Sequence, residues 1–514
     1  MKGQTKAKLI VFFIVAIIAF AASSIAANII LIKNPNDNTL LAIEDDNFTP
    51  QKVDYVPTYI PEPKIINDTN LTNKTDWMNN ANITNILNKT KGNLSNLWNE
   101  YSHWIIMGEK KKFIRDSVYG DISLNKFEQK VLDMPQFQRL RRIKQLGLIN
   151  LIYPGANHTR FEHSIGTMNL GSKLANELEL SEDEIELVRI SALLHDVGHG
   201  PFSHVSEGVL SFPHEELTKY VISKTSMRDY LEEKFDIKEI NKIISGEGKL
   251  GPIVSGELDV DRMDYLLRDS YNTGVAYGVI DYERIISNLK LTNNLVLDIK
   301  GVQAAEGALV SRYFMYPSVY QHHTTRIANS MFRRGLKKLI NTNEIDENDM
   351  YKYDDMDMVS IYRNSENPFV RDMITRLDNR DLFKRVKVIR LENFKNPEKL
   401  YKTSQETLRK AEEEIAYDFD MDKDYLTINI AEYPRFDEMK TQVSVDGKLY
   451  PLTKISNIVG ALSKARFNIP DISVYVPKED KAKFEKLKLE NYLDLPEINK
   501  DKFHGIHYDQ IKLF

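Results

Sequence analysis

The chain contains no cysteine, which excludes disulfide bridges and thiolate metal ligands. Histidine, aspartate and glutamate remain as the side chains able to hold a cation. The absence says little about compartment. Charge of one sign is also missing in bulk. Lys and Arg number 69 against 74 Asp and Glu, for a formal net charge of −5, so no overall basic field points to nucleic acid. At 514 residues, with 42% hydrophobic and 28% charged side chains, the composition is that of a globular protein long enough for two or three cores.

One long charge-free run is present, residues 9–32, rich in Ile, Val, Phe and Ala. As a helix it is long enough to cross a hydrocarbon core of roughly 30 Å. The expectation is an N-terminal transmembrane anchor over residues 1–33, with a signal peptide cut near Ala22-Ser23-Ser24-Ile25-Ala26-Ala27 as the alternative. Lys2, Lys6 and Lys8 precede the run and only Lys33 follows before Asp37. The positive-inside rule therefore puts the main domain outside a single-pass membrane protein. Residues 34–112 read as a stalk or linker rich in Asn, Thr, Asp and Pro. Its Asn-x-Ser/Thr triplets at Asn47, Asn67, Asn70, Asn73, Asn82, Asn88 and Asn93 are glycosylation acceptors on an outward-facing chain, or products of composition alone.

Further along, Ser181-Glu182-Asp183-Glu184 has the form of a capping box that opens a helix, and Ile185, Val188 and Ala192 recur on one face of it. The run ends in His195-Asp196-Val197-Gly198-His199-Gly200-Pro201, a polar cluster on a buried element. A neutral imidazole beside a carboxylate suits a borderline metal, which lowers the pKa of bound water. Thr159-Arg160-Phe161-Glu162-His163 reads as a second capped helix start, with His163 in the first turn. The stretch from Asp259 to Asp269 holds four carboxylates, Asp259, Asp261, Asp264 and Asp269, among apolar residues. Two histidines and two aspartates can converge.

These residues resemble the HD-domain phosphohydrolases, and within them the dNTP triphosphohydrolases, most closely the animal enzyme that carries a sterile-alpha-motif domain, which is absent here. The resemblance rests on Pro135-Gln136-Phe137-Gln138-Arg139-Leu140-Arg141, Gln145-Leu146-Gly147, the run from Tyr153 to His163, His195-Asp196 through His204, and the stretch from Asp259 to Asp269. It implies a mainly α fold, an all-helical core over residues 113–340, matching helical patterns at 125–145, 160–178, 182–197, 215–223 and 259–268. It also implies one divalent metal ion, Mn, Fe, Zn or Mg, held by His163, His195, Asp196 and Asp261. His199, His204 and His214 would contact phosphate or move protons, with Glu207 standing where the family has an aspartate. Arg160, Arg262 and Arg312 would bind the triphosphate, Arg262 replacing a family lysine. Gln145, Leu146 and Tyr320 would wall off a 2′-hydroxyl, and Tyr265 and Asp269 would hold the 3′-hydroxyl side. His322 follows Tyr320 as in the family, whereas His323 replaces a lysine. Asp133, Gln138 and Arg141 match a guanine-nucleotide effector site, which implies nucleotide-dependent assembly into a homo-dimer or tetramer.

Residues 341–514 are expected to form a smaller α+β lobe for assembly or regulation. Residues 341–357 look like an acidic loop or insertion. Strands are expected at 384–391, 426–430 and 473–476, a helix at 404–415, and a hairpin at 442–450 turning at Asp446-Gly447. The leading expectation is a metal-dependent hydrolase that splits dNTPs, dGTP among them, to deoxynucleoside and triphosphate. Such a substrate favours the cytoplasmic face and stands against the topology cues. The competing expectations are an HD phosphohydrolase for another nucleotide or phosphoester, and a membrane-tethered nucleotide sensor without turnover.

Overall fold

The computed structural model describes residues 112–292, 294–431, 440–463 and 471–497. It begins with an antiparallel hairpin, β1 (Lys112–Asp116) and β2 (Gly120–Leu124). Helix α1 (Lys126–Leu132) follows, opened by a capping box between Asn125 and Glu128. The helical pattern expected over 125–145 is broken. Pro135 starts a new short turn, Pro135–Gln138, which passes into a 3-10 turn, Arg139–Arg142. A proline lacks the amide a continuous helix needs there.

The long helices are α2 (Arg160–Glu177) and α3 (Glu182–Leu194), followed by α4 (His214–Lys224), α5 (Ile237–Ile244) and α6 (Val260–Thr273). The Ser181–Glu184 box is made, and Thr159 N–H donates to Glu162 at 2.6 Å. Helix α2 packs along both α3 and α6. Their contact is close because Gly166 has no side chain: a Cβ there would stand 1.9 Å from Asp264 Oδ1 and 2.3 Å from an Arg268 guanidinium nitrogen. On the other side of α2, Ile165 and Met168 join Phe137, Leu140 and Leu193 in a core closed to solvent. Each such side chain contributes about 1.5–3 kcal/mol by leaving water.

A hairpin of β3 (Leu289–Leu291) and β4 (Leu295–Asp298) precedes α7 (Val302–Met315) and α8 (His323–Asn341), and α9 (Asp355–Asn364) and α10 (Pro368–Asp378) follow. The C-terminal elements are β5 (Lys384–Arg390), α11 (Gln405–Asp418), β6 (Thr427–Ile430), β7 (Gln442–Val445), β8 (Lys448–Pro451) and β9 (Asp471–Val476). The body is thus predominantly helical with a C-terminal α+β part, and the expected strands and hairpin are present. Strands β5, β9 and β6 form an antiparallel sheet with β9 buried in the middle. The β7–β8 hairpin instead joins β4 in parallel, in a four-stranded sheet ordered β3-β4-β7-β8. Val443 and Leu452 pack in the core that also holds Leu174, Val188 and Val260. Strand pairing therefore crosses the expected border at residue 340.

The expected membrane location is corrected. Among the described residues no helix is long and apolar enough to cross a membrane. The run at 9–32 that suggested an anchor, and the stalk that follows it, lie outside the described residues.

Candidate active site

Helix α2 brings His163, the end of α3 brings His195 and Asp196, and the first turn of α6 brings Asp261 to one point. His163 Nε2 stands 3.0 Å from Asp261 Oδ1, 3.2 Å from His195 Nε2 and 3.5 Å from Asp196 Oδ2. His195 Nε2 stands 3.5 Å from Asp196 and 3.6 Å from Asp261. Ligands bonded to one cation at roughly 2.0–2.2 Å are themselves about 3.0–3.5 Å apart, so the spacing of His163, His195 and Asp261 fits a shared ion, with Asp196 3.5 Å from both rings. The tautomers fit too. His163 Nδ1 is 2.7 Å from Asp264 Oδ2, and His195 Nδ1 is 2.8 Å from Ala192 O. Each ring has an acceptor on its far side, which turns the Nε2 lone pair inward. Asp264 is held in turn by two bonds from the buried Arg268, whose third goes to Asp116.

Burial opposes charge on His163, but Asp261 and Asp264 outweigh it and push its pKa up to about 10. Burial also opposes ionisation of Asp196 and Asp261. Neighbouring His195 and Arg160 in the first case, and His163 and His195 in the second, nevertheless hold both carboxyls well below their usual range. The cluster attracts positive charge, for which a proton and a metal cation compete.

A cavity of about 680 Å³ opens beside this cluster, lined by Asp196 and Asp261 among others. His199, His204 and His214 gather on its lining. His199 stacks on His214 at 3.9 Å between ring centres, and His204 meets both rings edge-on. Glu207 takes His204 Nδ1 on one oxygen at 2.7 Å and His214 Nδ1 on the other at 2.8 Å. Burial, with Arg160 and His214 adding to it, drives the pKa of His199 well down, so this imidazole is neutral. Its Nε2 is 3.4 Å from Asp196 Oδ1, and neither ring nitrogen makes a hydrogen bond. Burial also disfavours charge on His214, but the bond to Glu207 reverses the balance and raises its pKa.

The backbone between His199 and His204 turns in an unexpected way. Gly198 and Gly200 stand nearby, yet the positive φ angles belong to Phe202 (φ 56°) and Ser203 (φ 53°). Backbone of this kind costs about 1–3 kcal/mol per non-glycine residue. Gly198 serves a different purpose, because a Cβ there would lie 2.1 Å from Thr218 N.

Of the expected substrate residues, Gln145, Leu146, Arg160, Tyr265, Asp269 and Tyr320 line the cavity. Arg160 reaches Asp196 at 2.5 Å and Ser203 Oγ at 2.9 Å. Tyr320 donates to Asp269 at 2.7 Å. Arg262, Arg312 and His322 are not among the lining residues. Arg262 donates to Gly256 O and Asp259 at the head of α6, beside a separate small hollow that Arg312 shares. His322 caps α8 by accepting from Thr324 N. Asp133, Gln138 and Arg141 are not among the lining residues either, and Arg141 donates to Gln138 and covers the Phe161 ring at 3.5 Å.

Residues 160–269 match the HD domain and residues 280–504 match the HD associated region. Protein MJ1154 of Methanocaldococcus jannaschii is 38% identical over 396 residues, 76% of this chain and 83% of that protein. The chain belongs to the HD-domain phosphohydrolase family. A phosphohydrolase structure from Bacteroides thetaiotaomicron superposes with a TM-score of 0.61 at 26% identity, across 72% of this chain and all of that one. The deoxynucleoside triphosphate triphosphohydrolase SAMHD1 homolog of Dictyostelium discoideum is 33% identical over 44% of this chain, which spans only about half, 49%, of that relative's length.

Within this HD protein, further polar residues stand where sequence reading did not place a role. His158 Nε2 meets Asp269 at 2.9 Å while its carbonyl accepts from Gln145 N, so it ties together two walls of the cavity. Asp264 was noted only as part of a dense carboxylate run. Asp355, in the stretch read as a loop, accepts from Phe202 N at 2.6 Å and Lys144 N at 2.9 Å. Asn429 and Ile430 on β6 also line the cavity, so the C-terminal part borders the site directly.

Proposed function

We propose that the chain is a metal-dependent dNTP triphosphohydrolase that releases deoxynucleoside and triphosphate. The observation that carries this reading is one cavity lined by carboxylates of a candidate cation-binding cluster, by three histidines and by the Tyr265, Tyr320 and Asp269 side chains. When bound at His163, His195, Asp196 and Asp261, a divalent cation supplies Lewis-acid polarisation of a phosphoryl oxygen and an activated water. Arg160 holds a phosphate by a permanent charge. His199, neutral and without a hydrogen bond, accepts or donates at the same group. His214, whose hold on a proton is strengthened by the bond to Glu207, delivers a proton to the departing 5′-oxygen.

At the far end, Tyr320 braces Asp269, whose carboxylate accepts from the 3′-hydroxyl. Gln145, Leu146 and Tyr320 crowd the place a 2′-hydroxyl would take, and Tyr265 stands with Asp269 on the 3′-hydroxyl side. Asp133, Gln138 and Arg141 are assigned to a guanine-nucleotide effector that promotes self-assembly. The Dictyostelium relative supports the substrate class through its own described activity.

The test is incubation of the purified full chain with each dNTP and rNTP, dGTP included, with and without Mn and GTP, and chromatographic identification of products. Deoxynucleoside with triphosphate is the expected outcome. Monophosphate with pyrophosphate would replace the reading with another phosphoester chemistry, and no product from any nucleotide would remove it.

A further inference from the structure

Residues far beyond the metal ligands control the backbone that presents two of the histidines. The segment between His199 and His204 carries two consecutive non-glycine residues in the left-handed region, Phe202 and Ser203. Such a conformation persists only where surrounding bonds over-determine it. Two of those bonds converge on one buried carboxylate. Asp355 Oδ1 accepts from Phe202 N at 2.6 Å, and its Oδ2 accepts from Lys144 N at 2.9 Å. The carboxylate is 6% exposed. Ser203 closes the ring by donating its hydroxyl to Lys144 O at 2.7 Å while accepting from Arg160 Nε at 2.9 Å.

We propose that Asp355 is a positioning residue, a clasp from the associated region that holds the His199–His204 turn against residue 144 and so sets the histidines over the reacting phosphate. The catalytic part of this inference rests on the hydrolase reading above, whereas the clasp itself does not.

The chemistry requires both carboxylate oxygens. An asparagine offers one acceptor and turns an amide N–H2 toward the second backbone N–H, so one of the two bonds is lost. The metal ligands sit on α2, α3 and α6 and do not touch Asp355. Its neighbour Asp354 provides the control, because it pairs with Arg142 and caps α9 through Met356 N and Asp357 N without contact to the turn.

The experiment compares full-length wild type, Asp355→Asn and Asp354→Asn by three measurements. Hydrogen–deuterium exchange followed by mass spectrometry is expected to accelerate over residues 198–208 in Asp355→Asn and not in Asp354→Asn. Metal content is expected to stay equal in all three. For nucleotide hydrolysis, kcat is expected to fall by about tenfold or more in Asp355→Asn with KM nearly unchanged, since displaced catalytic groups lose transition-state contacts rather than substrate binding. Asp354→Asn is expected to lower Tm with kcat retained.

Unchanged exchange over 198–208 in Asp355→Asn would overturn the clasp whether or not the wild type hydrolyses a nucleotide. Faster exchange with an unchanged kcat would overturn the catalytic part alone. A kcat loss that tracks Tm equally in both variants would reduce Asp355 to a structural role. An inactive wild type with faster exchange would fail the function reading and keep the clasp.

Discussion

The two ends of the histidine-rich site are built on opposite plans. At the metal end every imidazole has its outer nitrogen satisfied, His163 by Asp264 and His195 by Ala192 O, and Asp264 is locked by Arg268 with no exposed surface. At the other end one carboxylate, Glu207, serves two rings, the His204 side chain is 65% exposed, and His199 makes no hydrogen bond. The first arrangement fixes lone pairs in space, as a cation requires. The second leaves ring nitrogens available and sets neighbouring pKa values in opposite directions, as proton transfer requires. Chain origin differs as well. The candidate metal ligands come from α2, the end of α3 and α6, whereas the histidine turn is bonded to Asp355, contributed by α9.

If the contrast is real, the two ends should fail differently. The largest effect is expected for His195→Ala, which removes a ligand from the rigid end. Bound metal measured by atomic absorption and hydrolysis should both drop to background, and a variant that keeps its cation would break the contrast at once. Next comes Asp264→Asn, which touches no substrate. Metal affinity or activity should fall about 10–100-fold, as for other outer partners of a ligating histidine. Thermal stability should fall too, since Arg268 would lose a charged partner inside the protein, a change that costs about 3–5 kcal/mol for buried pairs. Loss of Tm with unaltered metal affinity would show Asp264 to be structural only.

Much of this contrast was visible locally in the residues. The Ser181–Glu184 and Thr159–Glu162 signals marked two helix starts, and the His195-Asp196 motif with its family resemblance marked the cluster. Local signals fail where the partner is remote. Asp355 contacts Lys144 across 211 positions, so nothing near it distinguishes a clasp from an acidic loop. The 442–451 hairpin announced itself through Asp446-Gly447, but its partner β4 is set by packing on the helical core. The left-handed residues went to Phe202 and Ser203 despite two nearby glycines, because tertiary bonds overrode the intrinsic preference. The membrane reading rested on one charge-free segment, its flanking lysines and the Asn-x-Ser/Thr triplets, all outside the described residues, and no described helix is long and apolar enough to cross a membrane.

A smaller and more selective effect is expected at the second end. Glu207→Gln removes the partner that contributes most to raising the pKa of His214, leaving burial, which lowers it, opposed by Asp196 and Glu215. If protonated His214 is the proton donor, activity declines as pH rises through its pKa. The alkaline limb of kcat/KM against pH should therefore move to lower pH, with a rate loss of about tenfold at neutrality and normal metal content. Stability follows the same sign. A raised histidine pKa stabilises the fold fully below the unfolded value of about 6.5, and that contribution is lost as pH rises through the folded value. The variant should show a flatter Tm between those two limits. An unmoved alkaline limb would take the donor role from His214.

The smallest effect is expected where neither end is touched. Arg141 is exposed, donates to Gln138 and lies over Phe161, a contact that contributes about 0.5–1 kcal/mol at exposed sites. Arg141→Ala should leave metal content and the pH profile in place and lower Tm only slightly. If the Asp133, Gln138 and Arg141 group reads a guanine nucleotide, the same variant should weaken activation by GTP and the GTP-dependent change in oligomer size measured by light scattering. Full activation in the variant would detach this surface from regulation. A shifted pH profile would instead show that Phe161, beside Arg160 on α2, transmits changes at this surface into the histidine end.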